Sequence, residues 1–429
     1  MWLVSTAFAR PVDIGWVDDA THPIRCHWER AEDEDRCAEV LTWASLAWDV
    51  QVDTIGFSAP MPDTEGGSEA LDIYFGVSET SGAGEAWVDC DGGDGSCLDS
   101  DPADGMAAAP SYVVIDARLE DEQIPGFVVH EFQHTTQYAT DWAEPFLVAW
   151  EGTAVSCEMW TLPDVAPSAD DVADYQATPW MSAVLMDGYW LWDEFGIDSW
   201  YEYGSMVWVR WFDARYGSGD GTAAALLWRT MTQEGKAYEP DVLDAWETIA
   251  GRPWQDEFLD FAVDRARMGG PEGPEWLAFA GEQGAVARHA VPARGPVDVE
   301  VFPLGAVYFD VEGPVSVSID GDTGVDWAIV FVEDTKSTIV RGTEGSYSGE
   351  GKTTVGIVSL GPPDLDADDE MVAAKASVTI TERPCGCGGG GAAGWLVFLA
   401  FAFPRRAGSN ARSPSRPGRL ALVGTEERP

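Results

Sequence analysis

The spacing of apolar residues divides the chain into helical and strand-forming regions. Apolar positions recur three and four residues apart over residues 29–51, which predicts an amphipathic helix. Short apolar runs at residues 71–77 and 112–116 predict two strands. From Pro125 the helical pattern returns and is rich in tryptophan, with helices predicted at residues 125–140, 145–160, 200–215, 221–234, 240–250 and 254–267. Residues 10–285 are therefore predicted to form one α+β module with a helical half.

The pattern changes near residue 290. Short β-branched segments divided by Gly, Pro and Asp follow, and these are typical of a small antiparallel β-sandwich. Its predicted strands are residues 297–301, 306–311, 315–319, 327–332, 353–359 and 376–381. No pair of catalytic side chains stands out here, so residues 290–383 are predicted to be an accessory scaffold or binding domain.

Charge excludes two classes of function. The chain carries 74 Asp and Glu against 25 Lys and Arg, a formal net charge of -49. Such an acidic protein repels phosphate backbones and anionic lipid, which argues against nucleic-acid binding and against a basic membrane-binding patch. The composition suits an exported protein that binds cations.

Four of the seven cysteines form two close pairs in polar sequence, Cys26 with Cys37 and Cys90 with Cys97. Close pairs of this kind indicate disulfides and an oxidising compartment. Cys157 lies in an apolar helical stretch and is predicted to be a buried free thiol.

The two ends of the chain carry candidate sorting signals. Residues 1–9 are apolar and end in Ala-Phe-Ala, which is typical of the end of a signal peptide, with a simple N-terminal strand as the alternative. Residues 384–429 contain a Cys-Gly-rich stretch, an apolar segment at residues 392–403 and paired arginines. This order resembles the MYXO-CTERM sorting tail of myxobacterial surface proteins and implies membrane contact through the tail alone. A disordered tail that sorts nothing is the alternative.

Two of the five histidines enclose a glutamate in the segment HEFQH, His130, Glu131 and His134. Residues four apart share one face of a helix, so both imidazoles can bind one zinc ion. A glutamate beside the first histidine can act as general base on water at that ion. The motif predicts a zinc site with Glu131 as catalytic base, and two histidines buried in the core are the alternative.

A catalytic zinc site needs a third protein ligand, and the best candidate is Glu151, 17 residues beyond His134. Glu158 lies two helical turns further on the same face. It is predicted to accept the free N–H of a ligating histidine, with a solvated helix acid as the alternative.

HEFQH followed by WEGTAVSCE resembles the gluzincin metallopeptidases. Their aminopeptidase branch places an oxyanion-stabilising tyrosine in a Tyr-Glu-Lys-Gly-Ala stretch similar to residues 201–205 here. The resemblance implies that Tyr201 is this catalytic donor, with Tyr203, in place of the family's lysine, as the rival.

A closer resemblance, over residues 31–290, is to secreted zinc metalloproteases of myxobacteria. It rests on residues 47–60 (AWDVQVDTIGFSAP), the strand that begins LDIY, and the two motifs above. It implies a gluzincin-like α+β module and a secreted or surface-displayed enzyme that cleaves peptides or proteins.

Substrate choice depends on one departure from the aminopeptidases. Their Gly-x-Met-Glu-Asn stretch, whose glutamate binds the substrate amine, corresponds in this comparison to residues 105–109, which contain no acid. Residues 112–116 are predicted to be an edge strand that pairs with an extended peptide. An endopeptidase is therefore favoured over an aminopeptidase.

The acidic loop with Asp89, Asp91 and Asp94 is a candidate calcium site, because clustered carboxylates and glycines suit a hard cation. A solvated loop that binds nothing is the alternative. A non-catalytic calcium-binding adhesin on the same scaffold is the rival to the enzyme.

Overall fold

The computed structural model describes residues 10–62, 66–77, 83–89, 108–142, 144, 146–165, 167–197, 199–232, 240–270, 273–292, 295–367 and 369–382. Several predicted features lie outside the described residues. They are the apolar segment 1–9, the Cys90–Cys97 disulfide, Asp91 and Asp94 of the acidic loop, residues 105–107, and the tail 384–429 with its apolar segment 392–403.

The N-terminal half contains a mixed five-stranded sheet. Its strands are β1 (Gly15–Asp18), β2 (Ile24–Trp28), β3 (Leu71–Gly76), β4 (Gly84–Val88) and β5 (Ser111–Asp116), in the order β1-β2-β3-β5-β4. Strands β2, β3 and β5 are parallel, whereas β4 runs antiparallel to β5. The prediction that residues 112–116 form an edge strand is wrong, because β5 pairs with β3 on one side and with β4 on the other. The edge position belongs to β4.

Two helices cover one face of this sheet. They are α1 (Glu34–Ala47) and α2 (Ile124–Tyr138), and their apolar residues share a core with Ile73 and Ile115. A π-helical segment at Trp48–Ile55 extends α1. The predicted Cys26–Cys37 disulfide is confirmed and ties β2 to α1, with 5.8 Å between the Cα atoms.

The helical half follows as α3 (Leu147–Thr161), α4 (Ala169–Ala177), α5 (Gly188–Phe195), α6 (Tyr201–Gly204), α7 (Met206–Tyr216), α8 (Thr222–Met231), α9 (Val242–Ala250) and α10 (Trp254–Arg267). The helix predicted over residues 200–215 divides at Ser205 into α6 and α7. Helices α4 and α5 were not predicted. Both are short and begin at capping side chains, Ser168 and Asp187, that accept backbone N–H groups.

Two further sheets follow, built from β6 (Arg288–Ala290), β7 (Val297–Val301), β8 (Gly305–Glu312), β9 (Val315–Gly321), β10 (Trp327–Val332), β11 (Ser337–Arg341), β12 (Glu344–Tyr347), β13 (Lys352–Ser359) and β14 (Ala374–Glu382). Their strand orders are β11-β10-β13-β8-β6 and β12-β9-β14-β7, and one core cluster draws on both. All pairs are antiparallel except β6 with β8, which is parallel. The prediction of a purely antiparallel arrangement is corrected at that strand.

The helical half and the first of these sheets share a continuous apolar core. Tyr308 of β8 is buried in it, and its hydroxyl donates to the Ala262 carbonyl of α10 at 2.9 Å. In the part of the chain that the structure describes, no helix is both long and apolar enough to cross a bilayer.

Candidate metal centre

Three predicted ligands meet between α2 and α3. Glu151 Oε2 lies 3.1 Å from His130 Nε2 and 3.5 Å from His134 Nε2. One ligand atom from each residue lies within 4.8 Å of the other two, and all three residues are buried. The structure therefore brings His130, His134 and Glu151 together as a group that can hold one metal ion.

Local sequence explains this geometry. His130 and His134 are one helical turn apart on α2, so both rings leave the same face. Glu151 reaches them from the first turns of α3, which packs against α2. The next residue, Gly152, is needed for close packing, because a Cβ there would lie 2.3 Å from Ser205 Oγ and 3.1 Å from the Ser205 carbonyl carbon. The absent side chain lets the α6–α7 junction approach the triad.

Each imidazole is held through its second nitrogen. His130 Nδ1 lies 2.7 Å from Glu158 Oε1, so the predicted contact of Glu158 with a ligand histidine is present. His134 Nδ1 lies 2.8 Å from Gln137 Oε1, and the Gln137 amide donates in turn to the Trp150 carbonyl at 3.3 Å. Because each Nδ1 donates, Nε2 is the ring nitrogen that can lose its proton and bind a metal at the shared point between the three residues. Gln137 was not predicted, although its position three residues after His134 could have indicated it.

Burial and close opposite charges shift the pKa values of the triad. Burial favours the neutral form of Glu151, but the two imidazoles outweigh it and lower the pKa of this carboxyl to about 2. Burial also opposes charge on His130, yet its hydrogen bonds with Glu151 and Glu158 raise its pKa well above the ordinary value. The field of Glu151 likewise outweighs burial at His134 and raises that pKa. Glu151 is therefore ionised beside two imidazoles whose charged forms it stabilises, and a metal ion bound here would replace the protons on their Nε2 atoms.

The donor set fits zinc. Two neutral imidazole nitrogens and one carboxylate oxygen are the ligands of many catalytic zinc sites, and three protein ligands leave a position open. Calcium and magnesium prefer oxygen ligands throughout, so they match this set less well.

Glu131 lies next to the triad and beneath the edge strand β4. A Cβ on Gly84 would lie 2.7 Å from Glu131 Cγ, so this glycine lets β4 pass directly over the glutamate. Burial raises the pKa of Glu131, with the charges of Glu151 and Glu85 adding to that effect against the two imidazoles. A carboxylate with a raised pKa is a stronger proton acceptor when ionised.

The structure places the two candidate tyrosines differently. Tyr201 is fully buried, and its hydroxyl donates to the Ser182 carbonyl at 3.0 Å while its ring packs against Tyr175. Tyr203 instead stacks on the His130 ring, with 5.8 Å between ring centroids. The structure therefore brings Tyr203, and not Tyr201, to the metal centre.

The other predicted site residues are only partly described. Asp89 of the acidic loop forms an ion pair with Arg10, which also pairs with the buried Asp72. Cys157 is a buried free thiol, as predicted, and its sulfur lies 3.3 Å from Gln133 Oε1.

Comparisons with known proteins add little to this geometry. No protein-family model matches the sequence, and no curated protein matches it. The chain is similar to a solved structure of aminopeptidase A from Legionella pneumophila in complex with aspartic acid, at 13% identity and a TM-score of 0.32. That match covers 76% of this chain and 34% of the aminopeptidase, so the chain spans about a third of its length.

A second match is PliG, a periplasmic inhibitor of g-type lysozyme from Salmonella Typhimurium. The identity is 10% and the TM-score 0.17, over 22% of this chain and 97% of that protein. Both TM-scores are too low to indicate a shared fold or function.

Proposed function

We propose that the chain is a zinc metallopeptidase, with His130, His134 and Glu151 as the metal ligands. The observation that carries the proposal is the convergence of two imidazole Nε2 atoms and one carboxylate oxygen beside a buried glutamate, Glu131. Hydrogen bonds from the imidazole Nδ1 atoms to Glu158 and Gln137 support it, because such contacts are typical of histidines that hold a metal.

The roles of the residues follow from their chemistry. A bound zinc ion supplies Lewis acidity and lowers the pKa of water at the site. Glu131 accepts a proton from the attacking water and passes it to the leaving amine. Tyr203 donates its hydroxyl hydrogen to the oxyanion that develops on the scissile carbonyl. Burial and the carboxylates of Glu151 and Glu202 raise the pKa of Tyr203. Its hydroxyl is therefore protonated at neutral pH and can donate a hydrogen bond.

The substrate binds along β4. Among the described residues, only β5 pairs with this strand, so its outer edge can accept an extended peptide as a further strand. Because β4 passes over Glu131, a peptide bound there runs past the catalytic base. An open edge suits the interior of a polypeptide, and we assign endopeptidase activity on this basis.

A second candidate is an aminopeptidase, and Glu85 is the observation that favours it. This residue of β4 stands next to Gly84, and its charge contributes to the raised pKa of Glu131. A carboxylate at that position can bind the free α-amine of a substrate. Glu85 would then take the role for which residues 105–109 contain no acid. Rates on one peptide with a free and with an acetylated N-terminus separate the two. An endopeptidase cleaves both forms, whereas an aminopeptidase cleaves only the free form and loses that activity in Glu85→Gln.

The enzyme acts outside the cytoplasm, in our proposal. The Cys26–Cys37 disulfide supports export, since reducing cytosol does not maintain structural disulfides. In the same proposal, the two C-terminal sheets form an accessory β-sandwich. The chain is related to the secreted myxobacterial metalloproteases and carries their sorting tail. Intact mass of protein from the native host tests it, because export predicts an oxidised body without the tail.

Paired histidine variants test the proposed function. His134→Ala removes a ligand, whereas His289→Ala removes an exposed histidine of β6 far along the chain. We expect His134→Ala to lose the zinc of this centre and casein hydrolysis together, and His289→Ala to keep both. A calcium-binding adhesin would instead contain calcium alone and hydrolyse nothing in either form.

A further inference from the structure

A second group of metal-ligating side chains lies at the opposite end of α1 from its acidic first turn. His22 belongs to the turn between β1 and β2, and Asp49 and Asp53 belong to the π-helical segment that extends α1. One ligand atom from each residue lies within 4.8 Å of the other two. Within the described ranges of the chain, this group and the catalytic triad are the two that meet this condition.

The imidazole of His22 is held in place before any ion binds. Asp19 Oδ1 accepts the His22 backbone N–H at 2.8 Å, which fixes the turn. The His22 ring stacks on Trp48 with 5.3 Å between centroids and 19° between planes, and its Nε2 lies 3.0 Å from Asp49 Oδ1. The ring can therefore bind a metal with little loss of conformational entropy.

The two aspartates are also held on one face. Asp49 and Asp53 are four residues apart, and Thr54 Oγ1 donates to the Asp49 carbonyl at 2.9 Å within the same wide turn. No lysine or arginine among the described residues pairs with either carboxylate, so one histidine faces two like charges. A divalent cation would neutralise both charges, whereas the histidine alone can neutralise one at most.

We propose that His22, Asp49 and Asp53 form a second metal site, for a divalent transition-metal ion such as Zn²⁺ or Co²⁺. The imidazole favours these ions over calcium and magnesium, which prefer oxygen ligands. The ligands are partly exposed, so water completes the coordination. The ion would link the β1–β2 turn to the helix packed beside it and stabilise the fold. This proposal does not depend on the peptidase assignment.

Equilibrium dialysis of the full-length protein against Zn²⁺ tests the second site. The wild type should bind about two ions per chain and His22→Ala about one, because removing one of three ligands abolishes a site of this kind. Asp53→Asn, at an exposed position, should also bind about one and serves if His22→Ala does not fold. His289→Ala is the matched control and should bind as the wild type does. Equal zinc content in the wild type, His22→Ala and Asp53→Asn would overturn the proposal.

A variant that lacks one ligand of the catalytic centre separates the two sites. Glu151→Ala should keep the ion at His22, and Zn²⁺ should raise the melting temperature of this variant. That rise should disappear in the double variant Glu151→Ala/His22→Ala. If Glu151→Ala binds no zinc, the second site is refuted while the catalytic centre stands. If zinc in the wild type depends on His22 and not on Glu151, the peptidase proposal fails instead.

Discussion

Replacing Tyr203 by phenylalanine removes the proposed oxyanion donor and leaves the ring in place. The Tyr203 ring lies parallel to the His130 ring within 21°, and phenylalanine can keep this stacking. Loss of one oxyanion donor lowers kcat by about 10² to 10³, or about 2.7–4 kcal/mol of transition-state stabilisation. We expect Tyr203→Phe to lose that much kcat, with zinc content and stability close to those of the wild type.

Tyr201→Phe is the matched control and should show the opposite behaviour. In the wild type the Tyr201 hydroxyl donates to the buried Ser182 carbonyl, and the variant removes this donor. An unsatisfied buried polar group costs about 1–3 kcal/mol, so the free energy of unfolding should fall by that amount. The kcat of the zinc-loaded protein should stay near the wild-type value, because the hydroxyl does not face the metal centre.

Both variants can be measured with a quenched fluorogenic peptide for kcat and with urea unfolding for stability. Zinc should be quantified in each preparation, so that a loss of metal is not read as a loss of the donor. If Tyr201→Phe loses kcat and Tyr203→Phe keeps it, the assignment of Tyr203 is refuted. The family-based assignment of Tyr201 would then be restored.

Three further predictions concern groups around this centre. Glu158→Gln should weaken zinc affinity by about tenfold to a hundredfold in a chelator competition, because the carboxylate orients His130. Burial raises the pKa of Glu202 from 4.5 to about 8, so the unfolded state loses its proton first as pH rises. The wild type should therefore lose on the order of 5 kcal/mol of stability relative to Glu202→Gln between these two pKa values, measured by urea unfolding across that range. The Cys26–Cys37 pair spans 11 residues, and Cys26→Ser/Cys37→Ser should cost about 3 kcal/mol in the same assay.

The three residues of the candidate metal centre could be predicted because their geometry is largely local. His130 and His134 share a helix face through their spacing alone, and Glu151 lies near the start of the next strongly helical segment. The hydrogen bond from His130 to Glu158 also follows from helical periodicity once Glu151 is placed. These inferences needed helix geometry and little knowledge of how distant segments pack.

The tyrosine and the edge strand depend on packing between distant segments. Tyr201 and Tyr203 are two residues apart on the short helix α6, so their side chains leave it on nearly opposite faces and one of them can face His130. Which face of α6 turns toward α2 depends on tertiary packing, such as the close approach of Gly152 in α3 to Ser205, and helical periodicity does not reveal that packing. Strand β4 is short, and its antiparallel addition beyond β5 is a non-local pairing that periodicity does not reveal.

The Glu131→Gln variant tests the proposed metallopeptidase most directly, through zinc content and peptide hydrolysis measured on the same sample. The substitution removes the general base and keeps the size of the side chain, while all three ligands remain. Zinc content should match the wild type, and hydrolysis should fall on the order of 10²-fold or more. A Glu131→Gln protein that binds zinc and cleaves peptide at the wild-type rate would contradict the proposed mechanism.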